Sequence, residues 1–198
     1  MNLELLQKNL EAKGFTYRYF DTAQQAADYL AGSIQGKTVG IGGSMTIKSM
    51  GLYERLKENN TVAWHWEVPG PENLAQAAAA QVYLSSVNGI AETGELINID
   101  GTGNRIAATL YDREWVILIA GVNKIAPDYD QALWRARNIA APLNARRLNR
   151  QTPCALKEDM KCYDCKSPER ICRGLVVHWG PMMGKEAEVI LVDEELGL

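Results

Sequence analysis

Apolar positions along the chain switch repeatedly between helical and strand spacing. Leu3, Leu6 and Leu10 recur at helical spacing and Gly14 follows as a C-cap, which predicts a short amphipathic first helix. Phe15 to Phe20 is aromatic-rich and reads as a strand. Thr22, with Gln25 three residues on, forms a capping-box signature ahead of Ala26, Ala27 and Leu30 and predicts a second helix. Lys37 to Ile41 reads as a strand, Ser44 to Asn59 as one helix or two broken at Gly51, and Val62 to Trp66 as the next strand. Pro71 starts an alanine-rich helix predicted over Glu72 to Leu84.

Glu95 to Ile99 and Arg105 to Leu110 are strand-like and flank Asp100-Gly101-Thr102-Gly103-Asn104, so a hairpin is expected there. Trp115 to Ala120 is a nearly continuous apolar run, the pattern of a strand buried on both faces, and it runs into Gly121-Val122-Asn123-Lys124. Asp128 to Ala140 is predicted as a helix stopped by Pro142. Asn149 to Cys172 has little periodicity and reads as an ordered excursion. Leu175 to Trp179 and Val189 to Val192 form two final strands around the turn Gly180-Pro181.

Strands alternating with helices in this way predict an α/β fold, a mainly parallel sheet flanked by helices, with ligands outside the carboxyl ends of the strands. A length of 198 residues with 46% hydrophobic content is enough for one sizeable core, so a single domain spanning 1–198 is expected. The formal charge of −3 and its interspersed acids and bases make nucleic acid an unexpected partner, although Arg135, Arg137, Arg146, Arg147 and Arg150 form a local basic cluster. No apolar run approaches the roughly 18 residues of a membrane span, and Met1-Asn2-Leu3-Glu4 does not open like a secretory signal. A cytoplasmic location is the resulting expectation.

The first candidate site is Gly40-Ile41-Gly42-Gly43-Ser44-Met45-Thr46, a strand-to-helix loop where missing side chains admit a ligand and backbone N–H groups favour an anion. Ser44 and Thr46 add hydroxyls. Its spacing matches neither the Walker loop nor the G-x-G-x-x-G dinucleotide fingerprint, so no NAD site is expected. The second candidate is Cys154, Cys162, Cys165 and Cys172, spaced C-x7-C-x2-C-x6-C. A C-x2-C pair with two further thiols nearby has the ligand count of a zinc site or an iron–sulfur cluster, but the spacing departs from both the zinc ribbon and the ferredoxin run. His65 and His178 sit in aromatic strand contexts that favour packing.

Taken with the Gly40 loop, the order of Ala91-Glu92-Thr93-Gly94-Glu95, Asn98-Ile99-Asp100-Gly101-Thr102-Gly103-Asn104-Arg105, Gly121-Val122-Asn123-Lys124 and Arg137-Asn138-Ile139-Ala140-Ala141-Pro142-Leu143-Asn144 resembles the LUD-domain proteins. These are the lactate-utilization family related to the LutB and LutC subunits. The resemblance covers essentially the whole chain and implies a fold of the NagB/RpiA/CoA-transferase group. It implies a ligand cleft beside Gly40, Gly42, Gly43, Ser44 and Thr46, the positions that match the loop holding a sugar phosphate in phosphosugar isomerases of that fold. It also implies association with oxidation of L-lactate to pyruvate through an iron–sulfur protein complex.

Three functional readings follow. The first is a protein of lactate or related 2-hydroxy-acid metabolism that binds a small anion, has a metal or iron–sulfur centre at the cysteines and meets a redox protein partner. Its ligand residues are those of the Gly40 loop with Glu92, Thr93, Gly94, Asp100, Gly101, Asn104, Asn123 and Lys124. The second is a CoA-transferase-like or phosphosugar-isomerase-like enzyme using Glu92 or Lys124, where a carboxylate nucleophile forms an acyl intermediate in a dry site. The third is a non-catalytic subunit whose cysteine segment is a zinc-stapled surface for a partner or for a homo-oligomer.

Overall fold

A computed structural model describes residues 1–198. The chain runs α1 (Leu3–Ala12), β1 (Thr16–Phe20), α2 (Ala23–Ser33), β2 (Thr38–Ile41), α3 (Met45–Ser49), α4 (Leu52–Leu56) and β3 (Thr61–Trp64). It continues with α5 (Pro71–Ala79), β4 (Val82–Ser86), β5 (Gly89–Ala91), β6 (Leu96–Asp100), α6 (Asn104–Leu110) and β7 (Trp115–Gly121). Last come β8 (Ile125–Ala126), α7 (Tyr129–Arg135), α8 (Ala141–Arg147), α9 (Pro153–Leu156), β9 (Gly174–His178) and β10 (Glu186–Val192).

Six strands form one parallel sheet in the order β1-β10-β7-β4-β2-β3. The double-sided burial expected of the Trp115 run is the organising feature. Ile117 and Ile119 of β7, with Ile190 and Val192 of β10, face a core made with α2, α3 and α4. Val116, Leu118 and Ala120, with Val189 and Leu191, face a second core containing Leu6 and Leu10 of α1. Removing this surface from water on both sides is the main force holding the layers together. No helix is long and apolar enough to cross a membrane.

The capping box forms as predicted: the Thr22 side chain accepts from the Gln25 N–H and the Gln25 side chain accepts from the Thr22 N–H. Gly51 divides α3 from α4 with φ 64°, a left-handed conformation that suits glycine. A second sheet, β8-β5-β6-β9, was not anticipated from the sequence. Its Ile90 and Leu96 pack into the α1-side core. β5 pairs antiparallel with β6 and parallel with β8, and β6 pairs antiparallel with β9.

Several elements differ from the pattern reading. The helix over Glu72 to Leu84 ends at Ala79, and Val82–Ser86 is a central strand because Val82, Tyr83 and Leu84 are buried between β2 and β7. The expected hairpin is absent. Arg105 to Leu110 lies in α6, which starts after Gly103 at φ 91°, and the Asp100 carboxylate accepts from the N–H groups of Thr102 and Gly103 to shape the turn. A short apolar run supports either element, and here the turn decides. The helix from Tyr129 does not stop at Pro142. A π-helical segment, Ala136–Ala140, joins α7 to α8, and Pro142 stands at the second position of α8, directly after that wider turn. The two final strands enter different sheets, β9 beside β6 and β10 between β1 and β7.

Candidate functional site

The chain leaves β2 for the sheet edge at β3 and returns as β4 on the other side of β2, so a crevice opens where the strand order reverses. A cavity of about 270 Å³ occupies this place. The glycine loop reaches it from β2, His65 and Trp66 from β3, Ser86 and Asn88 from β4, and Lys124 from the short turn after β7.

Lys124 sits at the floor. Its side chain is 3% exposed, and its ammonium donates to the Thr46 hydroxyl at 3.0 Å and the Ser86 hydroxyl at 2.8 Å. Neither acceptor carries charge. Burial, then the nearby positive charges of Arg135 and Arg105, holds the Lys124 pKa down at about 7. Such a group shifts its titration because it is desolvated and no acidic side chain is paired with it.

Three arginines also line the cavity, Arg105, Arg147 and Arg150, against one acidic side chain, Asp100. That carboxylate is already committed to two turn N–H groups and to Arg105 Nε at 3.5 Å. Arg105 is fixed by the Ser86 carbonyl at 3.0 Å, the Ile99 carbonyl at 2.7 Å and the Asn98 side chain. Arg147 lies over the Trp66 ring at 5.1 Å and donates to Asn144 Oδ1, leaving it without a carboxylate partner. Burial lowers the pKa of His65, and its Nδ1 is buried with no hydrogen-bond partner.

Of the residues expected at a ligand, Gly43, Ser44, Thr46, Asp100, Gly101, Asn104 and Lys124 share this cavity. Gly43 and Ser44 keep their backbone N–H groups free of protein acceptors, while the Ser44 hydroxyl accepts from the Ile47 N–H to start α3. Gly40 and Gly42 serve packing. A Cβ at Gly40 would stand 2.3 Å from the Ala77 carbonyl oxygen, and one at Gly42 would stand 2.9 Å from the Arg105 side chain. Gly101 lets the cysteine segment approach, since its Cβ would meet the Ile171 carbonyl oxygen at 2.8 Å.

Glu92, Thr93, Gly94 and Asn123 lie outside the cavity. Glu92 Oε1 accepts the Asn2 N–H at 2.7 Å, and its carbonyl oxygen accepts from Asn9 Nδ2, so the residue anchors α1. Thr93 donates to Glu95, whose carboxylate also holds Lys13. Asn123 Oδ1 accepts the Leu196 N–H at 3.1 Å. Glu92 and Lys124 are therefore not brought to one site.

The cysteine segment closes one side of the cleft through Ile171 and Cys172. All four cysteines are free thiols. Burial pushes the Cys172 thiol up, Arg170 draws it back, and Cys162, Cys154 and Cys165 push it up further. As placed, however, no three His, Cys, Asp or Glu side chains converge as a metal-ligand set. Cys154 Sγ lies 3.3 Å from the Thr152 hydroxyl, and Cys162 Sγ accepts from the Asp164 N–H at 3.4 Å and from Arg137 at 3.6 Å.

His65, Ser86, Arg105, Arg147 and Arg150 were not identified as site residues from sequence. The basic cluster around Arg147 was the available signal, but nothing in its spacing pointed to the Gly40 loop.

A parallel sheet with a glycine loop, a buried lysine and a basic rim at its switch point defines an α/β protein with a cationic cleft. The model of one family, the LUD domain, matches residues 3–192. The chain belongs to the LUD domain family. It is similar in fold to the crystal structure of a DUF162 family protein from Deinococcus radiodurans, with a TM-score of 0.57 and 16% identity over 96% of this chain and 95% of that one. No curated protein matches the chain.

Proposed function

We propose that this protein binds a small carboxylate of the 2-hydroxy-acid or 2-oxo-acid class in the cleft over Lys124, in keeping with the lactate link in the family's name. The observation that carries the reading is Lys124 itself, a buried ammonium whose side-chain partners are two hydroxyls, in a cavity with no carboxylate side chain free to pair with it. A bound anion supplies the missing countercharge in a low-dielectric site, where charge-assisted hydrogen bonds are strong. The N–H groups of Gly43 and Ser44, with Arg147 and Arg150, offer further donors to the same anion.

Titration calorimetry with L-lactate, pyruvate and inorganic phosphate tests this. The carboxylates are expected to bind, and L-lactate affinity is expected to hold steady below about pH 7 and fall above it. Lys124 then loses its proton, and the anion must recover it from solution. No binding of any of the three, or binding that strengthens as pH rises from 7 to 9, would overturn the reading.

A second reading concerns the cysteines: they take up one metal ion or cluster when their side chains rotate together. Two observations favour it, the influence of Cys162, Cys154 and Cys165 on the Cys172 thiol and the Asp164 N–H already directed at Cys162 Sγ inside the C-x2-C turn. Cys154, Cys162, Cys165 and Cys172 would be the ligands, supplying either a structural zinc or an electron-transfer centre. Protein purified anaerobically is expected to carry zinc or iron that is lost in a Cys162→Ser, Cys165→Ser double variant. Folded protein without bound metal, or metal retained by the variant, would sink it.

A further inference from the structure

We propose that Lys124 is a nucleophile that forms an imine with the carbonyl carbon of a 2-oxo acid held in the cleft. The inference deepens the carboxylate-binding reading and rests on it. Its geometric basis is the placement of the amine. Lys124 lines the cavity, and the only side-chain partners of Nζ are the hydroxyls of Thr46 and Ser86. A lysine paired to a carboxylate is locked as an ammonium, whereas hydroxyls also accept the neutral amine as a hydrogen-bond acceptor for their own protons. Thr46 Oγ1 and Ser86 Oγ are 3.2 Å apart, so a proton leaving Nζ enters a connected pair of hydroxyls.

Desolvation beside other cations is a general means of activating a lysine, and Arg105 and Arg135 are the cations here. The rim completes the arrangement. Gly43, Ser44 and Arg147 line the same cavity as Lys124, so with the carboxylate of the 2-oxo acid on the free N–H groups and the guanidinium, the adjacent carbonyl carbon is the atom offered to the amine.

The step is balanced without any redox partner. The amine lone pair attacks the carbonyl carbon, one N–H proton passes to the carbonyl oxygen through the hydroxyl pair, and a carbinolamine results. The C–O bond then breaks with uptake of a second proton, one water leaves, and a C=N bond joins Nζ to the ligand. An L-2-hydroxy acid binds in the same place but has no carbonyl to attack, so only the oxidised acid is captured covalently.

Cyanoborohydride, which reduces the imine, makes the test. The full-length protein is treated with pyruvate and the reductant, and the modified lysine is located by peptide mass spectrometry. Calorimetry with pyruvate, L-lactate and phosphate is run in parallel. The expected result is one reduced adduct per chain, at Lys124, saturating with pyruvate and suppressed by excess L-lactate. Pyruvate binding without modification of Lys124, or adducts spread evenly over exposed lysines such as Lys8 and Lys57, would overturn imine formation and leave the carboxylate cleft standing. No binding of any of the three anions would remove both.

Discussion

Replacing Lys124 with methionine is expected to make the protein more stable and to weaken the hold of the cleft on an anion. The two effects share one cause. The folded-state pKa of about 7 lies below the ordinary lysine value of 10.5, so between those two values the unfolded chain binds a proton that the native protein does not. Native stability from this group therefore rises with pH across that window. Below about pH 7 the native lysine is charged and the full desolvation penalty is present; above about pH 10.5 the group is neutral in both states and the penalty is gone. Methionine occupies similar volume without charge. Lys124→Met should gain about 2–4 kcal/mol at pH 6, after allowance for the two lost hydroxyl bonds. Urea denaturation at several pH values checks this, and the gap between variant and native protein should close toward pH 10. L-lactate affinity should fall by about 10–100-fold, the worth of one charge-assisted hydrogen bond. A variant that is less stable at pH 6 and binds L-lactate as before would show that Lys124 is a structural residue.

A stability cost at that one position explains why the site was partly legible. Lys124 stood out because an apolar strand ended in a polar turn, and strand ends at the switch of a parallel sheet are where ligands sit. The glycine loop was legible for the same reason, yet its glycines divide by role. Gly43 opens to the cleft, while Gly40 is required by the carbonyl oxygen of Ala77 in α5. That contact pairs residues far apart in sequence, and no local pattern contains it. The same holds for Gly101 against Ile171. The second sheet escaped notice because β5 and β8 have only three and two residues, too short for a period-2 signal. Glu92 is a nucleophile candidate through the resemblance to CoA transferases, which use a glutamate carboxylate, but its carboxylate is held by the start of α1. The family's motif order was the most informative single reading, and it led to the right fold through segments that are individually ambiguous.

Arg105 shows what pattern reading misplaces, and its removal should have the larger effect on folding. Read as the first residue of a strand, it instead opens α6 and points its guanidinium into the junction of the two sheets. There it donates to the Ser86 carbonyl at the end of β4 and to the Ile99 carbonyl in β6, with Asn98 and Asp100 also in reach. Burial lowers its pKa, yet a guanidinium keeps its charge in proteins. Arg105→Ala leaves two part-buried carbonyls and the buried Asp100 carboxylate short of partners, a loss of about 3–5 kcal/mol. Thermal unfolding should move down by on the order of 10 °C for a chain of this size. Arg105→Lys should recover only a minor part, because a single ammonium cannot span the separated acceptors that a planar fork reaches together. The Ser86 hydroxyl that receives Lys124 belongs to the residue whose carbonyl Arg105 holds. The alanine variant should therefore also weaken L-lactate binding, even at temperatures where it is fully folded. Stability within about 0.5 kcal/mol of the native protein would mean that the two sheets are joined by packing alone.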